Sequence, residues 1–299
     1  MWFRKRLVDP LLAKGEARID RHVRRLEQHA EFQSRVSAQT QIAQHALWHS
    51  YRSPTTQRPK LSEAGFRCFS QFEEDGLLLY IFAALGTFSG EYLDLGCADG
   101  INSNCANLAL NFGWRGTMVD GSVEKIRTGQ DAYSKAPIAW AYPPKFVCDL
   151  ITAENVNDIV RRSNVSGEID FLSIDIDGND YWVWQALEAT NPKVVMIETH
   201  TEFGLNDIVV PYDATYSYPG RHPDYHGASP TAMAKLAERK GYRLVGANAY
   251  GFNTIYVREG LAEDILPKVS VESILWHPRN VERAKLFEPI KDWPYVSPT

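Results

Sequence analysis

The sequence predicts an α/β protein built on a mostly parallel sheet with helices on both faces, and two observations carry that prediction. From about residue 91 onward, short runs of β-forming apolar residues alternate with helical segments, as a parallel sheet with crossover helices requires. Five such runs, at 92–95, 116–119, 145–147, 171–176 and 194–197, each end at or near an acidic residue. The carboxyl ends of parallel strands share one edge, so these acids are expected to converge where open α/β sheets bind ligands.

The remaining elements follow in order. Residues 17–49 contain no Gly or Pro, and Ile19, Val23, Leu26 and Ala30 recur at helical spacing, which predicts one long or two short helices. Their narrow apolar stripe suits packing on the core or on a partner chain, so a homo-oligomer is open. Residues 53–59 read as a linker. The apolar run 77–85 follows Glu73, Glu74 and Asp75 and is too short to cross a bilayer, so it reads as a buried helix. Ile101, Cys105, Leu108 and Phe112 mark the buried stripe of a helix that stops at Gly113. Ser229 and Pro230 open another that runs to Gly241. Runs at 242–247 and 253–257 flank a turn containing Gly251 and form a terminal hairpin. The expected organisation is a helical extension and linker over 1–60, an α/β domain over 61–262, and a tail over 263–299 packed on the core.

Charge is segregated. Residues 1–60 hold twelve Lys/Arg against five Asp/Glu, leaving twenty against thirty-two beyond them, so the α/β region is strongly acidic. An acidic site argues against a nucleic-acid substrate, because phosphate neutralisation needs a basic face. The basic N-terminal region suits either peripheral contact with anionic lipid or a solvated helix. Four cysteines, Cys68, Cys97, Cys105 and Cys148, lack metal-ligand spacing, and Asp9 and Pro10 interrupt any signal-like apolar stretch. A cytoplasmic protein without secretion signal or transmembrane anchor is expected.

The stretch from Glu91 to Gly100 places Asp94 at a strand end, followed by small residues at alternate positions before a helix. Gly96 and Gly100 lack the Cβ that blocks close approach of a ligand, and Ala98 is the smallest substitute for a third glycine. Asp94 is expected to face the ammonium of a methionine moiety. Asp120, after the second strand, is placed to accept hydrogen bonds from ribose hydroxyls, with Gly121 beside it. Asp149, after the third, either reaches an adenine amino group or starts the next turn. Helix capping is the alternative for Asp94 and Asp120. The G-x-G-x-x-G turn of nicotinamide-binding domains is missing. Five strands followed by a hairpin is the order of a Rossmann-like class I methyltransferase sheet, seven-stranded and mostly parallel with a terminal antiparallel pair.

Several motifs taken together resemble the FkbM-type group of methyltransferases. They are Ser70 through Gly76, the Asp94 turn with Ser103 and Asn104, Gly113 through Gly116, Thr152 through Asn155, Asp170 through Tyr181, Gly227 through Ser229, and Gly251 through Asn253. The resemblance implies S-adenosylmethionine as cofactor and O-methylation of sugars, polysaccharides or natural products. Asn104 joins the cofactor set, and Gln71 and Glu74 either close over the methionine end or form a solvated helix start.

Asp175, Asp177 and Asp180 follow the fourth strand, and Glu198 and His200 the fifth. Asp175 and Asp177, two apart, are expected on one face of the strand. Carboxylates with one imidazole suit Mg²⁺ or Mn²⁺ better than zinc. The site also resembles that of metal-dependent sugar O-methyltransferases, which implies Asp175 and Glu198 as ligands and Asp177 as base. Those enzymes have two adjacent acids after strand five, whereas here Thr199 and His200 follow Glu198. His200 is the second candidate base, and a capped turn into the helix through Trp184 is the structural alternative. Tyr181, Trp182 and Trp184 read as packing against the sheet, with a sugar-site wall as the alternative, and His222 and His226 lie in a Tyr- and Pro-rich segment, 211–230, that suits either covering an acceptor pocket or a surface loop. Three rivals are a metal-dependent nucleotide-sugar transferase using Asp175 and Asp177, a non-catalytic cofactor-binding module, and a nicotinamide oxidoreductase.

Overall fold

The computed structural model describes residues 38–50, 52, 58–86, 89–136, 142–163, 165 and 167–298. The basic cluster at 4–6, the helical pattern over 17–37 and most of the linker at 53–57 lie outside the described residues.

Seven strands pair in the order β3-β2-β1-β4-β5-β7-β6. They are β1 (Glu91–Leu95), β2 (Arg115–Asp120), β3 (Lys145–Cys148), β4 (Gly167–Ile174), β5 (Thr190–Glu198), β6 (Tyr242–Ala247) and β7 (Asn253–Arg258). The first five are parallel, β7 runs antiparallel to β5, and β6 antiparallel to β7. Alternate strand residues feed two separate cores. Tyr92, Phe171, Val194 and Met196 pack on one face, and Leu93, Leu172, Val195 and Ile197 on the other. Burial on both faces is why these strands read as continuous apolar runs rather than alternating ones.

Helices α1 (Ala38–Ser50), α2 (Glu74–Leu85), α3 (Ala106–Phe112), α4 (Val123–Ser134), α5 (Val156–Arg162), α6 (Asp180–Ala186) and α7 (Pro230–Arg239) fill the connections and flanks, and α8 (Val271–Ile274) and α9 (Pro278–Arg283) lie in the tail. The α1 helix, within the helical extension expected over 1–60, buries Trp48 and Gln41, with Trp48 edge-on to Tyr80 of α2 at 5.4 Å between ring centroids. Its Ile42 and Leu47 remain about half exposed. In the tail, Leu266, Ile274 and Ile290 are buried. The α7 helix starts as its sequence dictates, with the Ser229 hydroxyl accepting the Ala232 N–H at 3.0 Å and Pro230 in the first turn.

The helix expected from Ile101 begins only at Ala106. The intervening residues are committed elsewhere: Asp99 Oδ1 accepts the N–H groups of Ile101 and Asn102, and the Ser103 hydroxyl accepts the Cys105 N–H. Local side-chain acceptors thus outcompete the first helical turn. Among the described residues no helix is long and apolar enough to cross a membrane. The strand order, with its antiparallel β7 inserted between β5 and β6, is that of the Rossmann-like class I methyltransferase fold.

Candidate functional site

Strand order reverses between β1 and β4, and the crevice at such a switch point is where open α/β sheets bind ligands. The two strand ends touch there. Gly96, with φ +91°, leaves no room for a side chain, because a Cβ would stand 1.7 Å from the Asp175 carbonyl oxygen. Its smallness therefore serves the packing of the β1 turn against β4. Gly100 is likewise filled from within the protein, since a Cβ would meet Met118 Sδ at 2.7 Å. The expectation that this glycine clears space for a ligand is corrected accordingly. Ala98 adopts φ +51°, a left-handed conformation in which a third glycine would be unstrained.

A cavity of about 540 Å³ opens over this edge. Gly96, Ala98, Asp120 and Gly121 line one end; Asp175, Asp177 and Asn179 line the floor; and Tyr216, Ser217 and Tyr218 line the far wall. Asp120 Oδ2 accepts the Ala98 N–H at 3.0 Å and Oδ1 the Ser122 N–H at 2.8 Å, which ties the β1 and β2 turns together. Each oxygen keeps a lone pair for a further donor. Leu150, 60% exposed, and Ile151 add an apolar wall, and Lys125 a cation. A carboxylate with lone pairs to spare beside an uncovered apolar side chain could hold a nucleoside, so these residues fit adenosylmethionine.

Other expected cofactor residues fall outside the cavity lining. Asp94 is 2% exposed, with Oδ2 accepting the Ser103 hydroxyl at 2.5 Å, and burial pushes its carboxyl up to about 6 against the hydrogen bonds of Ser103 and Ser173. Asp149 Oδ2 is engaged by Arg162 at 2.8 Å. Glu74 is fully buried: Oε1 accepts the side-chain amides of Asn248 and Asn253 at 2.9 and 2.8 Å, and Oε2 accepts the Phe72 N–H. It joins α2 to the β6–β7 hairpin, so the solvated alternative for Glu74 is corrected. Gln71 is exposed, and Asn104 is half-buried two residues from Asn102, which does line the cavity.

Carboxylate oxygens of Asp175, Asp177 and Glu198 all lie within 4.8 Å of one another. The route differs from the expected strand alternation. β4 ends at Ile174, and Asp177 reaches the cluster through a left-handed turn at φ +56°. Asp180 builds that turn, its two oxygens accepting the N–H groups of Ile176 at 2.9 Å and Gly178 at 3.0 Å. Burial, then the charges of Asp180 and Asp177, push the Asp175 carboxyl well up; burial, then Asp175, does the same to Glu198. Glu198 Oε2 is buried without a hydrogen-bond partner. A carboxylate oxygen only accepts, so the trio calls for a proton or a cation, and oxygen ligands at this spacing fit Mg²⁺ or Mn²⁺.

His200 lies behind the wall and does not line the cavity. Its Nδ1–H donates to Glu202 Oε1 at 3.1 Å, Glu202 Oε2 accepts from Arg283 at 2.9 Å, and Nε2 is buried without a partner. Burial works against ionisation of Glu202, but His200 and Arg283 hold its carboxyl down to about 2. The His200 ring meets His226 at 4.0 Å between centroids, and His226 in turn stacks on Tyr216 at 6.1 Å. Burial, then His200, lowers the His226 imidazole to about 3. Tyr181 and Trp184 pack in the core as expected, and His222 lies against Trp293.

The sequence pointed to segment 211–230 as a cover but not to Tyr216. The available signal was a pair of glycines, Gly178 and Gly220, where an added Cβ would meet the Tyr216 ring at 2.4 Å on either edge. Leu150 was signalled only as an apolar residue two positions after the third strand.

No family model matches the chain, and no curated protein matches it. Among solved structures it is similar to an O-methyltransferase from Bacillus cereus in complex with SAH, at 12% identity over 73% of this chain and 89% of that one, with a TM-score of 0.40. It is similar to the N-terminal domain of EvdMO1, solved in the presence of SAH and D-fucose, at 12% identity over 70% and 93%, with a TM-score of 0.42. A third is an S-adenosylmethionine-dependent methyltransferase from Clostridium acetobutylicum, at 12% identity over 57% and 84%, with a TM-score of 0.36. The fold assignment rests on strand order and register rather than on these distant likenesses.

Proposed function

We propose that this chain is an S-adenosylmethionine-dependent O-methyltransferase of the FkbM type acting on a hydroxyl of a sugar or glycan. One observation carries the reading: a single cavity joins the Gly96–Ala98 turn and Asp120 to the carboxylates of Asp175 and Asp177. Adenosylmethionine, when bound, supplies an electrophilic sulfonium methyl. Asp120 holds the ribose, and Leu150 and Ile151 shield the adenine. Asp177, exposed on the cavity floor, takes the acceptor hydroxyl proton as the oxygen bonds to the methyl group, and with the cofactor bound the sulfur–methyl bond would break in line and adenosylhomocysteine would leave. Asp175 and Glu198 would hold a divalent cation, which would supply Lewis-acid lowering of the hydroxyl pKa. Asp177 is preferred to His200 as base because His200 does not reach the cavity wall. Asp94 contributes from beneath the turn, through Ser103.

Titration calorimetry with adenosylmethionine and adenosylhomocysteine tests the cofactor assignment. Wild type is expected to bind, and Asp120→Ala to lose at least about tenfold in affinity, the worth of hydrogen bonds to a charged group. No binding of either compound by folded wild type defeats the proposal, and binding of a UDP-sugar instead favours a nucleotide-sugar transferase. Titration with Mn²⁺ alone tests the metal. Binding should be lost in Asp175→Ala and Glu198→Gln, and undiminished binding in both variants removes the cation from the mechanism.

A further inference from the structure

Charge is distributed unevenly along the cavity, and the unevenness bears on what enters its far end. Among the described residues that line it, Lys125 carries the only positive charge, and its backbone is tied through Ser122 to Asp120, at the end assigned to the nucleoside. The floor and far wall offer Asp175, Asp177, Asn179, Tyr216 and Ser217, with no Lys or Arg. Asp180 and Glu198 lie behind them, close enough to act on Tyr216. Of the arginines around the wall, Arg283 is engaged by Glu202 at 2.9 Å, and Arg221 of the covering segment lies over the Trp293 ring at 4.1 Å from its centroid. Three carboxylates exceed the charge of one divalent cation, so a metal bound by the cluster does not turn this end into a positive site.

We infer that the acceptor is selected by charge: the far end of the cavity takes an uncharged polyhydroxyl compound and rejects one bearing a carboxylate or phosphate. The inference rests on the methyltransferase reading and narrows it, since uronic acids and sugar phosphates are sugars too. An anion next to Asp177 meets like charge in a partly desolvated crevice, with no Lys or Arg among the described lining residues there to receive it. An uncharged sugar instead finds acceptors in the carboxylates and a donor–acceptor in Ser217. Aromatic rings on the wall, Tyr216 and Tyr218, add apolar faces that a neutral pyranose covers without loss.

The test is methyl transfer from tritiated adenosylmethionine to matched pairs of methyl glycosides, the gluco-, galacto- and mannopyranosides each against its uronate. Each pair is run at low salt and at about 0.5 M NaCl, where the Debye length falls to a few ångströms. A neutral member is expected to exceed its uronate by about a hundredfold in kcat/KM, with the ratio shrinking severalfold in high salt. Ser217→Lys, which places a cation on the exposed far wall, is expected to narrow the ratio a further tenfold or so. Equal or better transfer to a uronate, or a ratio that neither salt nor Ser217→Lys moves, overturns the inference. So does a failure to methylate any neutral glycoside by protein that binds adenosylmethionine in calorimetry. Absence of adenosylmethionine binding is a different result, and defeats the reading on which the inference rests.

Discussion

At the scale of single residues, the acids of this chain divide into those that face the cavity and those that hold it open, and sequence position alone did not separate the two. Glu74 and Asp177 both read as site residues, yet Glu74 is fully buried with three donors on its carboxylate, while Asp177 stands exposed on the cavity floor. Glu74→Gln turns one acceptor oxygen into a donor that faces an amide or an N–H, and should cost about 1–3 kcal/mol in urea denaturation. An unchanged midpoint would show that the hairpin does not depend on it. Asp94 makes a pH-dependent prediction. Its folded carboxyl is raised to about 6 from an ordinary 3.8, so the native state holds a proton that the unfolded chain has released between those values. Stability from this group is full below about pH 4 and is lost as pH rises through about 6. Asp94→Asn, which cannot ionise, should therefore gain more melting temperature over wild type at pH 8 than at pH 4.5. A gain that is the same at both would mean the carboxyl is not perturbed. What hid these roles from the sequence was burial, since an Asp after a strand looks the same whether its partner is a ligand or Ser103.

At the scale of elements, the fold was legible because the inner strands β1, β4 and β5 are buried on both faces and are cut off by turns of recognisable chemistry. The hairpin at the end was legible for the same reason, with Gly251 at φ +86° between two apolar runs. Illegible were the lengths of the helices that follow strands, where Asp99 and Ser103 take up N–H groups before α3 can start. Also illegible was the fate of Gly96 and Gly100, whose missing side chains are replaced by Asp175 and Met118 rather than by a ligand. Distant pairings of this kind depend on the register of β1 with β2 and β4, which no local pattern encodes. A test at this scale is Gly96→Ala. The new Cβ would overlap the Asp175 backbone oxygen, and the backbone there is left-handed, so the β1 turn and the end of β4 must separate. Destabilisation by more than about 3 kcal/mol is expected in urea denaturation, together with weakened Mn²⁺ binding because Asp175 moves. A variant as stable as wild type would show that the two strand ends do not pack as described.

At the scale of the whole molecule, the cavity draws its walls from the ends of β1, β2, β3 and β4 and from the segment that covers them, so a ligand in it contacts elements distant in sequence. Such a ligand binds the native state and finds no equivalent in the unfolded chain, and its binding energy becomes folding energy by mass action. Adenosylhomocysteine at about a hundred times its dissociation constant should add about 2.7 kcal/mol. For a folded unit of this size each kcal/mol is worth roughly 2–4 °C, so a rise of about 5–10 °C in melting temperature is expected. The dependence on concentration matters more than the size of the shift. A logarithmic increase without saturation marks binding linked to global unfolding, whereas a plateau marks loss of a local unit before the rest melts. Asp120→Ala at the same ligand concentration should show less than half of the wild-type shift, while its unliganded melting temperature reports separately the loss of the Ala98 and Ser122 contacts. A full shift in that variant would place the nucleoside elsewhere on the molecule, and would leave the carboxylate trio without the methyl donor that its position beside the β1 turn implies.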